Sequence, residues 1–172
     1  MSDMKDTADG ESLVSICKNF VGEDLSFVEA WEVMEYLKRR KEDYIEYCMG
    51  RWKRQFASIP VLDYFIVNTD RHTQNYGFLM DNKTGELIKM APLFDYNCAL
   101  TADYFSRDAE DTLSQMFNTA ETLRDLAHRF IEHTDIIFYE EKFNRLAKRI
   151  DNRNYGHILE KVYERIRELG VV

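Results

Sequence analysis

Within NTDRHTQNYGFLMD, residues 68–81, an aspartate, an arginine, a histidine and two asparagines crowd between an apolar segment and a short strand. Further on, APLFD ends at Asp95. Between the two, YGFLM and ELIKMA flank DNKTG, whose Asn, Lys, Thr and Gly residues suit a turn, so a β-hairpin is predicted. A hairpin returns the chain to its starting end and so brings Asp95 back toward Asp70 and Asn75. Two carboxylates and a carboxamide are oxygen ligands of the kind that suit Mg²⁺, which takes one or two carboxylates and leaves its other positions to water and phosphate oxygens. A carboxylate kept off the metal can orient a hydroxyl and accept its proton during attack on phosphorus. Together these are the requirements of phosphoryl transfer from ATP.

The elements that must position these residues are mostly helical, because two prolines and seven glycines leave long stretches uninterrupted. Ser12 to Phe20 alternates weakly as a strand, and GED breaks it. Ser26 followed by Glu29 fits a capping box, with Phe27, Ala30, Trp31, Met34 and Leu37 as the apolar stripe of the helix behind it. KRRKED interrupts the stripe before Tyr44, Cys48, Trp52 and Phe56 resume it at every fourth residue. Pro60 suits the first turn of a new helix leading to the loop. After the hairpin, Asn118 and Glu121 are placed to cap a helix holding Leu123, Leu126, Ala127 and Phe130. A further run carries Phe143, Leu146, Ala147 and Ile150. The last carries Tyr155, Ile158, Leu159, Val162, Ile166 and Leu169, with Gly170 as its stop. The expected fold class is therefore mainly α with a small β-hairpin (α+β).

The loop and the segment ending at Asp95 resemble the catalytic and metal-binding motifs of HipA-like serine/threonine kinases, T-D-x-H-x-x-N followed by A-P-x-x-D. The spacing from Asp70 to Asn75 is also similar to the D-x-x-x-x-N of ordinary protein-kinase catalytic loops. The resemblance implies Asp70 as catalytic base and Asn75 and Asp95 as Mg²⁺ ligands, with ATP as the phosphoryl donor. His72 matches the family's loop histidine and is grouped with Asp70 at the catalytic centre, where shaping the loop is its favoured part. Arg71 is assigned with Asn75 to the nucleotide-phosphate side, against the plain alternative of a surface ion pair. On this reading residues 12–172 form the helical C-terminal lobe of a protein-kinase-like fold behind a flexible stretch, residues 1–11. A kinase also needs a glycine-rich loop and a strand lysine over the phosphates. Neither is visible before Asp70, and Lys18 is a weak substitute, so the lobe that carries them is expected on a partner chain or missing.

Plainer readings compete with these. Asp70 and Asn75 each fit a turn cap, and Asp95 an ordinary loop carboxylate; their joint spacing is what favours chemistry. A formal charge of −8 over 172 residues repels bare nucleic acid, so no direct nucleic-acid partner is expected, and Lys38 to Lys41 and Arg51 to Arg54 read as solvated faces. Cys17, Cys48 and Cys98 form neither a disulfide framework nor a zinc site. No stretch approaches the roughly 20 apolar residues of a membrane span, so a cytoplasmic protein is expected. The expected partner is a protein substrate, or an N-lobe or antitoxin-like protein of a toxin-antitoxin locus. A homodimer is a further expectation, because by the resemblance Ser12 to Phe20 would be the hinge between two lobes, and a kinase cut there exposes an apolar edge. The competing function is an inactive kinase-fold remnant that works as a binding module.

Overall fold

The computed structural model describes residues 3–5, 14–16, 19–100, 111–117, 119–148 and 152–172. Two short strands, β1 (Asp3–Lys5) and β2 (Val14–Ile16), pair antiparallel near the start. Asp3–Lys5 thus forms a strand inside the stretch expected to be flexible. Ser12, Leu13, Cys17 and Lys18 lie outside the described residues.

Strand β3 (Leu25–Glu29) leads directly into helix α1 (Ala30–Arg40), and β3 is where the local reading of the sequence failed. Ser26 is not a helix cap. It pairs opposite Met80 in the sheet, and its hydroxyl donates to Asn82 Oδ1 at 2.6 Å. The cap falls at Glu29, whose N–H donates to the Glu32 carboxylate at 3.0 Å. Phe27 is accordingly a strand residue, and Trp31, expected in the core, is 44% exposed, while Ala30, Val33 and Leu37 form the buried stripe.

Lys41, in the left-handed conformation, ends α1, and the Asp43 side chain caps α2 (Tyr44–Ile66) by accepting from Glu46 N–H at 2.8 Å. The break within α2 comes at Trp52 (φ −131°, ψ 40°), not at Pro60. Pro60 lies well inside the second segment, where burial of Phe56, Ile59, Val61 and Tyr64 holds the helix through the hydrogen bond that the ring removes. This buried helix is the axis of the lobe. Against it pack α3 (Leu123–Phe130), the 3₁₀ turn Ile131–His133, and the last helix, α5 (Asn152–Glu168), which follows α4 (Glu140–Ala147).

The cap of α3 is Thr122, which accepts from Asp125 N–H at 3.1 Å while Asp125 accepts from Thr122 N–H at 3.0 Å. The expected cap at Asn118 lies outside the described residues, and Glu121 instead receives Arg129 at 3.0 Å. Leu123, Leu126, Ala127 and Phe130 are buried as expected. Ile150 lies outside the described residues. Gly170 (φ 68°) ends the helical path after α5, with Val171 N–H returning to Ile166 O at 3.2 Å.

The expected hairpin is β4 (Gly77–Asp81) and β5 (Leu87–Met90). The Asp81 side chain accepts from Lys83 and Thr84 N–H to form its turn, and Gly85 takes φ 71°. Ile88 is an extra residue in β5, between the Leu79–Lys89 and Met80–Leu87 pairs. Strand β3 adds on the other side of β4, giving the antiparallel order β3-β4-β5. The result is a mainly helical α+β lobe. Among the described residues no helix is long and apolar enough to cross a membrane.

Gly77 faces its neighbour too closely for any side chain, since a Cβ there would lie 2.2 Å from Val28 O and 2.8 Å from the Phe27 ring. Gly77→Ala is therefore expected to destabilise the lobe by about 2 kcal/mol or more through backbone displacement, measured by urea unfolding. An unchanged midpoint would show that β3 and β4 are less closely apposed.

Candidate active site

Helix α2 delivers the chain to the loop through a strained residue. Val67, buried at its C-cap, has φ 49°, a conformation that a β-branched residue adopts only when its surroundings compel it. Its N–H returns to Asp63 O and Tyr64 O, and Asn68 N–H reaches Asp63 O at 2.8 Å, closing the helix in the manner usual for glycine. Asp70 follows, half-buried.

The loop is then folded on itself. Asp70 O accepts from His72 N–H at 2.9 Å and from Asn75 Nδ2 at 2.8 Å, and His72 O accepts from Asn75 N–H at 2.9 Å. His72 Nδ1 accepts from Gln74 N–H at 3.2 Å, so in this arrangement the ring proton sits on Nε2. His72 thus shapes the loop with its backbone and its ring. The outer side of the loop is held by the start of α1, where Ala30 N–H donates to Tyr76 O at 3.1 Å and Trp31 N–H to Thr73 O at 3.2 Å. These are amides that a helix leaves without internal partners. Residues 111–117 close another side, Gln115 Nε2 donating to Thr69 O at 3.0 Å and Tyr76 OH to Met116 O at 3.1 Å.

Arg71 corrects the sequence reading. It is neither a phosphate-binding group nor a surface ion pair, because it is 1% exposed and its guanidinium is committed inward. Nε and Nη2 donate to the Asp63 carboxylate at 3.0 and 3.1 Å, and Nη1 donates to Asn75 O at 2.8 Å and Phe94 O at 2.6 Å. The Tyr96 ring lies against it with its centroid at 4.8 Å. Asp63 is the functional-site residue that sequence reasoning missed, although a carboxylate inside the apolar run VLDYFIV was a visible signal. Burial pushes its carboxyl above the ordinary aspartate range, while the hydrogen bonds from Arg71 and Asn68 pull it back down.

By holding Asn75 O and Phe94 O on one nitrogen, Arg71 joins the loop of Asp70 and Asn75 to the segment of Asp95. The hairpin register agrees, since Ala91 N–H returns to Gly77 O at 2.9 Å. Asp95 takes φ 56°, which aspartate tolerates better than most residues. Phe94 in turn packs edge-on to Phe27 at 5.5 Å and stacked with Phe20 at 6.2 Å, tying the Asp95 segment to β3.

Asp70 and Asp95 are each half-buried. Among the described residues no group of three His, Cys, Asp or Glu side chains is placed to hold a metal. The oxygen groups carried by the two joined segments are the Asp70 and Asp95 carboxylates and the Asn75 carboxamide. Because Asn75 Nδ2 is spent on Asp70 O, Oδ1 is the remaining acceptor of that amide, the atom that a hard cation takes. Oxygen donors in this number fit Mg²⁺ that draws its other ligands from water and phosphate.

This helical lobe, carrying a small sheet with the loop at the hairpin's start and an aspartate just past its end, is similar in fold to a kinase of solved structure. Among solved structures the chain is similar to the crystal structure of a proinflammatory kinase of Helicobacter pylori, CtkA, with a TM-score of 0.61, 17% identity, and coverage of 99% of this chain and 74% of that one. At that identity the likeness is one of fold. No family model matches the chain, and no curated protein does.

Removing one partner of a buried ion pair leaves the other charged and unsolvated, at a cost of about 3–5 kcal/mol. Arg71→Met and Asp63→Leu should each destabilise on that scale. The double variant should recover much of the loss, a coupling of about 2 kcal/mol or more in a urea-unfolding cycle. Additive losses would mean that the two side chains act independently.

Proposed function

We propose that this chain is a phosphotransferase lobe that uses ATP and Mg²⁺ to phosphorylate a serine or threonine hydroxyl on a protein. The single observation that carries the reading is the junction at Arg71, where the segments bearing Asp70, Asn75 and Asp95 meet on one buried guanidinium. The kinase-like fold and the resemblance of the two motifs to HipA-like kinases support it.

In this reading Asp70 orients the acceptor hydroxyl and takes its proton on the carboxylate as the oxygen turns to phosphorus. Asn75 Oδ1 and the Asp95 carboxylate would hold Mg²⁺, which when bound with ATP supplies positive charge against the β- and γ-phosphates. Arg71 works behind them as a positioning residue, since small displacements of reacting groups lower rates steeply. The acceptor hydroxyl comes from a protein, and a protein partner that contributes phosphate-gripping groups belongs to the same proposal.

Calorimetric titration with ATP, with and without Mg²⁺, tests the reading. The chain should bind ATP in a metal-dependent way, Asp95→Ala should lose that dependence, and Asp70→Ala should keep binding while losing transfer by about 10²-fold or more. Equal Mg²⁺-dependent affinity in Asp95→Ala would remove Asp95 from the site. No ATP binding in either condition would leave the lobe as a protein-binding module.

A further inference from the structure

A cavity of about 310 Å³ opens between the first turns of α1 and the outer side of the loop, lined by Trp31, Met34, Glu35, His72, Thr73 and Gln74. It shares the loop that carries Asp70, and the Trp31 N–H to Thr73 O hydrogen bond joins its two walls. Its chemistry is one-sided. The lining offers an indole ring, a thioether, a carboxylate, an imidazole, a hydroxyl and a carboxamide, and no lysine or arginine.

The indole is held in place. Trp31 Nε1 donates to the Glu29 carboxylate, to which Gln74 Nε2 also donates at 3.4 Å, so a hydrogen-bonded chain from β3 to the loop fixes the ring's edge. Trp31 is 44% exposed, which leaves part of an aromatic surface open to a ligand. Glu35 has a surface partner, Lys38 at 3.3 Å, but that lysine side chain is 78% exposed, and pairs of this kind contribute little and exchange readily. Glu29 and Glu32 add negative charge on the same end of α1, and the chain as a whole carries −8.

We propose that this cavity receives an arginine side chain of the protein acceptor, seated on the Trp31 ring with its guanidinium on the Glu35 carboxylate. A planar guanidinium stacks on an aromatic face and pairs with a carboxylate at once, which a compact ammonium does less well. The assignment rests on the phosphotransferase reading for its purpose, which is to hold an acceptor peptide with its hydroxyl toward Asp70. The continuity is covalent: Thr73 and Gln74 line the cavity, and the same short loop carries Asp70 and Asn75. An arginine near the phosphorylated residue would thus define the substrate class.

The test is a nucleotide-free titration followed by the indole N–H resonances, with Trp52, packed against Phe78 at 5.0 Å, as the internal control. The probes are acetylated, amidated hexapeptides holding one serine and one arginine, and matched peptides with lysine or citrulline in place of arginine. The Trp31 resonance should shift saturably with the arginine peptide, more weakly with lysine and not with citrulline, while Trp52 stays fixed. Glu35→Gln should weaken binding about tenfold, with an unchanged unfolding midpoint showing that the fold is intact. An equal response to citrulline, an unmoved Trp31 resonance, or full affinity in Glu35→Gln would overturn the assignment. Because no nucleotide is present, failure here leaves the ATP site untouched, and failure of ATP binding leaves the peptide result standing.

Discussion

The ion pair of Arg71 and Asp63 is the constraint on which the arrangement of the site depends. Two charges withdrawn this far from water are costly alone, and they persist because each satisfies the other. The guanidinium has a rigid fork of donors, so once Asp63 takes one side, the other must find acceptors at fixed positions. It finds two backbone carbonyls, Asn75 O and Phe94 O, from segments separated by the whole hairpin. Their separation is thereby set by the width of one nitrogen's hydrogen bonds.

From that anchor the rest of the site follows. Asp63 belongs to the buried second half of α2, so the loop and the Asp95 segment are both referenced to the core of the lobe. The positive φ values at Val67 and Asp95 mark the two places where the chain bends sharply to meet this anchor. Strain of that kind survives only where surrounding contacts over-determine it. The backbone of the loop is held by Asp70 O, His72 O, Tyr76 O and Thr73 O, while Asp70 and Asp95 are half-buried. A rigid backbone beneath half-buried aspartates is what preorganised chemistry requires.

Strand β3 shows how the sheet and α1 serve the same end. Its pairing with β4 brings Phe27 under Phe94 and sets the start of α1 against the loop, so that helix amides meet Thr73 O and Tyr76 O. Gly77 sits where this apposition is closest, and its lack of a side chain is what permits it. The same placement opens the cavity beside Trp31, whose lining comes from α1 and the loop together.

Much of this was legible along the chain. The helical stripes of α2, α3 and α5, the stop at Gly170 and the hairpin turn at Asp81 to Gly85 are written in local spacing and turn chemistry, and they appear where expected. Ser26 and Trp31 were misread because a capping box is a local signal and strand addition is not: only the free edge of β4 turns Leu25–Glu29 into a strand. The proline signal at Pro60 lost to burial of the surrounding helix. The sequence by itself determined that a hairpin returns the Asp95 segment toward the loop of Asp70, since a hairpin is a property of a short segment. Only the tertiary structure decided that Arg71 points inward to Asp63 and Phe94 rather than outward to phosphate. The fate of a charge depends on which remote groups share its burial, and no spacing along the chain encodes that.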